Sequence, residues 1–289
     1  MTIVITGASG HLGRLTAEAV LGHVEPFKLV LVSRDPGALA DFAARGVVVR
    51  AGDFSDPATL RPAFAGCERM LLISTDQIGR RVAGHQAAID AAAEAGVRWI
   101  AYTSMVNPSD SNPVIVAAEH RATEEHLRAS GVAWTFLRNG IYAETLLPAA
   151  TAAMISGRHP TNAGDGRVSY VSREDCAAVA AAVLTSGGHD GRSYDVTGPD
   201  AVGDQEVAAL FTELGGRPVE AVPLDDDAYV AAMVEQAGMA EADARAYATF
   251  GIGARRFYLA PISTMVQELA GRPPVSVRDV IEAGLAAIV

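Results

Sequence analysis

Three glycines at a regular spacing, Gly7, Gly10 and Gly13, lie in Thr6-Gly7-Ala8-Ser9-Gly10-His11-Leu12-Gly13, after an apolar run and before an Ala/Leu-rich stretch. Between a strand and a helix, such glycines allow a tight turn, close approach of backbone to a pyrophosphate, and close packing of helix on strand. The backbone N–H groups at the helix start, from Ser9 through Gly10, His11 and Leu12 to Gly13, then face anionic oxygen, aided by the helix dipole. The spacing differs by one residue from the more familiar G-x-G-x-x-G, and it is the strand before and helix after that separate this loop from a bare turn.

About twenty residues further on, where an acid usually meets the ribose 2′-hydroxyl of NAD, stand Ser33 and Arg34. A guanidinium there matches a 2′-phosphate in charge and fork geometry, which favours NADP(H) while leaving NAD(H) possible; the other reading of Arg34 is a solvated surface cation. Asp35 is followed by Pro36 and reads as a helix cap, as does Asp56 before Pro57. Asp53 reads either as an acceptor for the adenine amino group, with Phe54 alongside, or as a loop cap. Ser74, Thr75, Thr103 and Ser104 end two further strands with small hydroxyls that suit a dinucleotide passing over them. His120 is a proton relay, a ribose contact or a structural hydrogen bond; Tyr142 is a proton donor in a cleft or a packing aromatic. Asn139 can bind the nicotinamide end or the substrate through its amide, and Glu144 pairs locally. Asp225-Asp226-Asp227 reads as a helix cap and a solvated run, so no metal site is expected, and Gly7-Ala8-Ser9-Gly10-His11 lacks the G-x-S-x-G spacing of a nucleophile elbow.

The elements that must position these residues follow from periodicity. Val/Ile-rich runs at 2–6, 28–33, 47–50, 69–74, 97–103, 133–138 and 193–197 read as strands. Ala/Leu-rich intervals at 11–23, 36–45, 57–65, 78–95, 114–129 and 174–186 read as helices. Gly46, Gly96 and Gly131 each close a helix before a strand. Strict alternation predicts an α/β fold, a Rossmann-type doubly wound parallel sheet. Residues 1–140, completed by 172–198, are read as the dinucleotide-binding part. Residues 141–171 and 199–289 are read as a smaller α+β substrate-binding part, with Ala-rich stretches near 204–214 and 225–248, a turn at 269–276 and a last helix from Val277.

Together these motifs resemble the short-chain dehydrogenase/reductase superfamily in its atypical, NmrA-like branch. The resemblance rests on the glycine loop, Leu31-Val32-Ser33-Arg34-Asp35-Pro36, Ala101-Tyr102-Thr103-Ser104, Glu119-His120-Arg121-Ala122-Thr123-Glu124, Leu137-Arg138-Asn139-Gly140-Ile141-Tyr142-Ala143-Glu144 and the late Gly271-Arg272-Pro273-Pro274. The pattern is most like bacterial NADPH-dependent quinone oxidoreductases of that branch. Orthodox members use a serine after the fifth strand with Tyr-x-x-x-Lys on the next helix. Here Ser104 remains, Val116 stands in the tyrosine's place and His120 in the lysine's. The chain's single lysine, Lys28, lies at the second strand, so no shift of alignment restores the pair.

Hydride transfer needs the nicotinamide to face its acceptor, whereas reducing an isolated ketone also needs a proton for an alkoxide. A quinone or extended aromatic spreads the incoming charge. The resemblance and the missing acid therefore imply an NAD(P)H-dependent reductase of a quinone-like or polycyclic aromatic molecule, including a tailoring step in aromatic polyketide biosynthesis, with Tyr142, His120 and Ser104 as candidate catalytic groups. The different class it leaves open is a non-catalytic, dinucleotide-sensing regulator.

Composition sets the outer limits. With 289 residues, 49% of them hydrophobic, the chain can bury a full core. A net charge of −11 repels nucleic acid and anionic membrane surfaces. Two distant cysteines, Cys67 and Cys176, offer no zinc or disulfide framework, and with no basic leader or membrane-length apolar run the expectation is a cytoplasmic protein. Oligomeric state is not readable.

Overall fold

The computed structural model describes residues 1–287. Its main sheet has seven strands: β1 (Ile3–Ile5), β2 (Leu29–Ser33), β3 (Val48–Ala51), β4 (Arg69–Leu72), β5 (Trp99–Met105), β6 (Ala133–Asn139) and β9 (Arg192–Val196). All neighbouring pairs are parallel, in the order β3-β2-β1-β4-β5-β6-β9. The order reverses between β1 and β4, so the crevice beyond their carboxyl ends is the place where such a sheet takes a ligand. Each predicted strand is present to within a few residues.

Helices cover both faces, which is why the central strands are apolar without alternation. On one face α1 (His11–Leu21) and α7 (Arg173–Thr185) pack over Ile3, Ile5, Leu29, Leu31, Leu71 and Ala101. On the other, α3 (Leu60–Phe64), α4 (Arg81–Glu94) and α5 (Ile115–Ala129) cover Val4, Val30, Met70, Leu72, Ile100 and Tyr102. Helix α2 (Ala40–Ala44) and α3 are each entered through a 3-10 turn, at Pro36–Leu39 and Pro57–Thr59. Gly46, Gly96 and Gly131 take left-handed backbone after α2, α4 and α5.

Two expectations are corrected. Asp35 caps its turn, accepting from the Gly37 N–H at 2.9 Å, but Asp56 makes no side-chain cap. Thr59 closes that turn instead, its hydroxyl donating to the Asp56 carbonyl at 2.6 Å and accepting from the Asp53 N–H at 2.9 Å. Residues 78–80 are loop, because the left-handed Gly79 gives its N–H to Glu119 rather than to a helix. The stretch 225–248 is two helices, α9 (Asp226–Ala237) and α10 (Glu241–Arg255), since Gly238 at φ +65° ends the first.

The remaining elements lie outside the main sheet. They are α6 (Leu146–Ser156), β7 (Arg158–Thr161), β8 (Arg167–Val168), β10 (Val202–Gly203), α8 (Asp204–Gly215), β11 (Glu220–Pro223), α9, α10, α11 (Met265–Ala270) and α12 (Val277–Ala286). Strands β7 and β11 pair in parallel and β8 and β10 antiparallel, and Ala150, Phe211 and Ile281 are buried between α6, α8 and α12. Helix α11 departs from this group and packs on α7.

Candidate active site

The glycine loop leaves β1 at the switch point. Gly7 turns with φ +59°, a conformation in which a side chain would be strained, and its carbonyl accepts from the Gly10 N–H at 3.1 Å. A Cβ on Gly13 would run into that carbonyl and stand 2.7 Å from Ala8 Cα, so α1 lies against the turn only because residue 13 has no side chain. Gly10 is the N-cap of α1 in extended backbone, and a Cβ there would meet only the Gly7 carbonyl, at 3.3 Å. The first-turn N–H groups of His11, Leu12 and Gly13 have no preceding turn of helix to bond to and point out of the helix end. His11, Ser9, Gly10 and Gly7 are exposed.

Beside this loop, Ser33 at the end of β2 donates to Ser9 Oγ at 3.0 Å and accepts from the Asp35 N–H at 3.1 Å, locking the strand end to the loop. Arg34, the next residue, is exposed. Asp53 accepts the Ser55 N–H at 2.9 Å; that bond, and more weakly the Arg34 charge, holds its carboxyl below the usual range. Phe54 turns away toward α4, edge-on to the His85 ring at 6.2 Å. That sets the half-buried Phe54 ring against the α4 side of the sheet.

Across the switch point, the Ser74 N–H donates to Thr103 Oγ1 at 2.9 Å, tying the end of β4 to β5. Thr75 Oγ1 is buried without a partner, and so is Asn139 Oδ1 at the end of β6. Asn139 Nδ2 donates to Tyr142 Oη at 3.3 Å, which leaves the phenolic proton free for another acceptor. Tyr142 packs on the α1/α7 face, with the Arg173 guanidinium 4.9 Å over its ring, and burial raises its pKa above the ordinary tyrosine value. Glu144 accepts the Arg173 N–H at 2.8 Å, the local pairing anticipated for it.

Ser104 and His120 are not brought to this pair. Along β5, Ile100, Tyr102 and Ser104 point toward α5, and Ser104 Oγ donates its proton to the buried Glu124 at 2.8 Å. Glu124 also takes a bidentate bond from Arg138, at 2.9 and 2.7 Å, and one from Arg128 at 3.0 Å. His120 Nδ1 meets the Tyr102 hydroxyl at 2.8 Å beneath the sheet, and burial, with Arg81 and His85 adding repulsion, pushes its pKa well below 6.5. Both catalytic assignments are therefore corrected: the Ser104 proton is committed to a carboxylate, and His120 is buried beneath the sheet against the Tyr102 hydroxyl, where the charged imidazolium is disfavoured. Val116 is buried among Met105, Val106 and Ala117.

Sequence reasoning passed over Glu124, Arg138, Arg81, Glu119, His85 and Thr123, all inward on α4, α5 or β6. The signal was present in α5, whose buried residues Val116, Ala117, His120, Thr123, Glu124 and Leu127 fall on one helical face that includes three polar side chains. Among the described residues, no group of three or more His, Cys, Asp or Glu side chains could hold a metal ion, and no helix is long and apolar enough to cross a membrane. Asp225 caps α9 through the Ala228 N–H at 2.8 Å, and Asp226 pairs with Arg255.

The model of an NAD(P)H-binding family matches residues 7–187, from the glycine loop to the end of α7. The chain belongs to this NAD(P)H-binding family. Quinone oxidoreductase 2 of Escherichia coli is 36% identical, over 96% of both chains, and an NAD(P)H azoreductase of Xenophilus azovorans is 33% identical over 99% of this chain and 98% of its own. The crystal structure of the Escherichia coli NADPH-dependent quinone oxidoreductase in complex with NADPH superposes with a TM-score of 0.94 at 35% identity, covering 98% of this chain and 100% of the other. The NmrA-like kinship and the Rossmann-type fold are thus both established, and the chain is an NAD(P)H-dependent oxidoreductase.

Proposed function

We propose that this oxidoreductase uses NADPH to reduce quinone-like or polycyclic aromatic molecules in the cytoplasm. The observation that carries the acceptor class is the filling of the orthodox acid's positions by buried Val116 and buried, neutral His120, with Lys28 at the opposite end of β2 from the site. No lysine ammonium is at hand to make a phenol strongly acidic, which favours an acceptor that spreads the hydride's charge. Cys67 and Cys176 are unpaired and buried, as suits a reducing compartment.

The residues fit the cofactor. Gly7 and Gly13 shape a cradle that side chains would fill or strain, Arg34 offers an unburied guanidinium for the 2′-phosphate, and Thr75 Oγ1 and Asn139 Oδ1 are orphaned polar atoms awaiting partners. When bound, the reduced nicotinamide supplies a hydride from C4. The N–H groups of Ser9, His11, Leu12 and Gly13 would hold the pyrophosphate, that of Gly10 being bonded to the Gly7 carbonyl, and Ser33 holds Ser9 in place. Asp53 and the strand-end hydroxyls of Ser74 and Thr103 border the path. Asn139 accepts from the nicotinamide end through Oδ1 while its amide N–H holds Tyr142 Oη, so that Tyr142 presents its proton toward the acceptor oxygen. Residues 141–171 and 199–287, helix α11 apart, would cover the cleft and set acceptor size.

The test is NADPH consumption, followed by its absorbance, with benzoquinone, naphthoquinones, polycyclic aromatic quinones and cyclohexanone. Quinones should be turned over and cyclohexanone should not. Selective use of polycyclic substrates would support a biosynthetic tailoring role. Brisk ketone reduction, or tight NADPH binding with no turnover of any acceptor, would overturn the reading, the latter in favour of a sensing role.

A further inference from the structure

Beneath the site lies a buried polar cluster that none of the steps above uses. Thr75, just past β4, is gripped at both ends of its backbone. Its N–H donates to His85 Nε2 at 3.1 Å, and its carbonyl accepts from Arg81 Nη1 at 3.1 Å. Both partners come from the first turns of α4, and both are braced from α5. Arg81 Nε donates to Glu119 Oε2 at 2.9 Å, and Glu119 Oε1 takes the Gly79 N–H at 2.9 Å. Because His85 Nε2 accepts a backbone proton, Nδ1 carries the ring's own proton and donates it to Thr123 Oγ1, 3.1 Å away. Thr123 passes its proton to the Glu119 carbonyl at 2.9 Å. Each of these bonds has a defined direction, and Arg81 Nη2 is that side chain's one guanidinium nitrogen left buried without a partner.

The arrangement is costly for a mere strand-to-helix connection. Arg81 is 6% exposed, and His85 and Thr123 are fully buried. A buried ion pair of this kind generally adds less stability than apolar side chains filling the same space, yet it specifies geometry where those would not. What it specifies is the backbone of Thr75, whose own buried hydroxyl is left with no protein partner. Strand β4 is the first beyond the switch point, on the side away from β2 and Arg34. A dinucleotide laid across that point with its 2′-phosphate at Arg34 therefore brings its nicotinamide half over Thr75.

We propose that Arg81, His85, Glu119 and Thr123 are positioning residues that clamp Thr75 so that its hydroxyl hydrogen-bonds the nicotinamide half of NADPH. This rests on the NADPH reading above. The clamp acts on one residue and through it on half of the cofactor.

Thr75→Val, Arg81→Lys and Glu119→Gln test it by three measurements: Kd for NADPH, Kd for adenosine 2′,5′-bisphosphate, which carries only the Arg34 half, and Tm without ligand. Thr75→Val should weaken NADPH roughly threefold to tenfold, the range for one neutral hydrogen bond, leave the bisphosphate unchanged, and keep or raise Tm, since it deletes an unpaired buried hydroxyl. Arg81→Lys loses the fork that reaches Glu119 and Thr75 together. It should weaken NADPH similarly, spare the bisphosphate, and show no further loss when combined with Thr75→Val. Glu119→Gln removes the charge that orients Arg81 and should shift NADPH in the same direction, so a poorly folding Arg81→Lys does not end the test. Unchanged NADPH affinity with a lowered Tm in Thr75→Val, equal loss of both ligands in Arg81→Lys, or fully additive losses would each overturn the clamp alone. A native protein that binds neither ligand would overturn the cofactor reading and the clamp with it.

Discussion

Arg34→Ala should convert a protein that prefers NADPH into one that barely distinguishes it from NADH. The substitution is local: Ser33 fixes the end of β2 through Ser9 and the Asp35 N–H, and neither bond involves the Arg34 side chain. A charge-assisted hydrogen bond contributes roughly 1.5–3 kcal/mol, and the exposed setting of Arg34 argues for the low end, about 1.5 kcal/mol, or roughly tenfold in affinity. Fluorescence titration with NADPH and NADH, at low and at high salt, reads all of this. The native preference for NADPH should shrink as salt screens the contact, and in Arg34→Ala the NADPH Kd should rise about tenfold or more with NADH nearly unmoved. Equal native affinities for the two cofactors, or equal losses in the variant, would show that Arg34 is only a solvated cation.

Gly10→Val should fold normally, because residue 10 has extended backbone and a Cβ meets only one carbonyl, yet lose at least tenfold in NADPH affinity; Gly13→Ala should instead fail to fold, since its Cβ collides with Ala8. Normal binding in Gly10→Val would mean the loop is misread. Tyr142→Phe should slow quinone turnover roughly tenfold to a hundredfold while leaving NADPH affinity in place, and a complete loss of activity would mark a dedicated acid. Acid should destabilise the fold through its buried imidazoles. Burial, aided by the Arg81 charge, pushes the His85 pKa down to about 3 from its ordinary 6.5, so between those values the unfolded chain binds the extra proton. Stability is then complete above pH 6.5 and falls as pH drops toward 3, by up to about 1.4 kcal/mol per pH unit. Tm measured across that interval should fall less steeply in His85→Gln; an unchanged slope would assign the acid sensitivity elsewhere.

The sheet was legible because its strands are short Val/Ile runs closed by punctuation with a mechanical meaning. Gly46, Gly96 and Gly131 take left-handed backbone after a helix, and Asp35-Pro36 opens a turn as its chemistry requires. What failed to show were places where a side chain elsewhere takes over the local bonding. Thr59, not Asp56, closes the turn before α3, and Glu119, from a distant helix, captures the Gly79 N–H and delays the start of α4. The break at Gly238 is harder to see because alanine-rich helix continues on either side of it, and a single glycine lowers helix propensity without deciding where the chain turns.

At the site, the glycine loop was readable because its chemistry is backbone chemistry, and spacing alone specifies backbone. Side-chain roles depend on which face of a strand a residue occupies, and a strand buried on both faces gives no alternation from which to read it. Thr103 and Ser104 looked equivalent, two hydroxyls at one strand end, yet adjacent residues in a strand point to opposite faces. Thr103 caps the Ser74 N–H, whereas Ser104 follows Tyr102 toward α5 and gives its proton to Glu124. Once Ser104 is committed there, His120, which meets Tyr102 in the same layer, belongs to the packing of α5 on β5. Loss of the orthodox Tyr and Lys is thus accompanied by reassignment of the serine and of the residue in the lysine's place to structural bonds. Tyr142, held by Asn139 with its proton uncommitted, is the hydroxyl to which the proposed reaction assigns the acceptor's proton, and Tyr142→Phe tests that assignment.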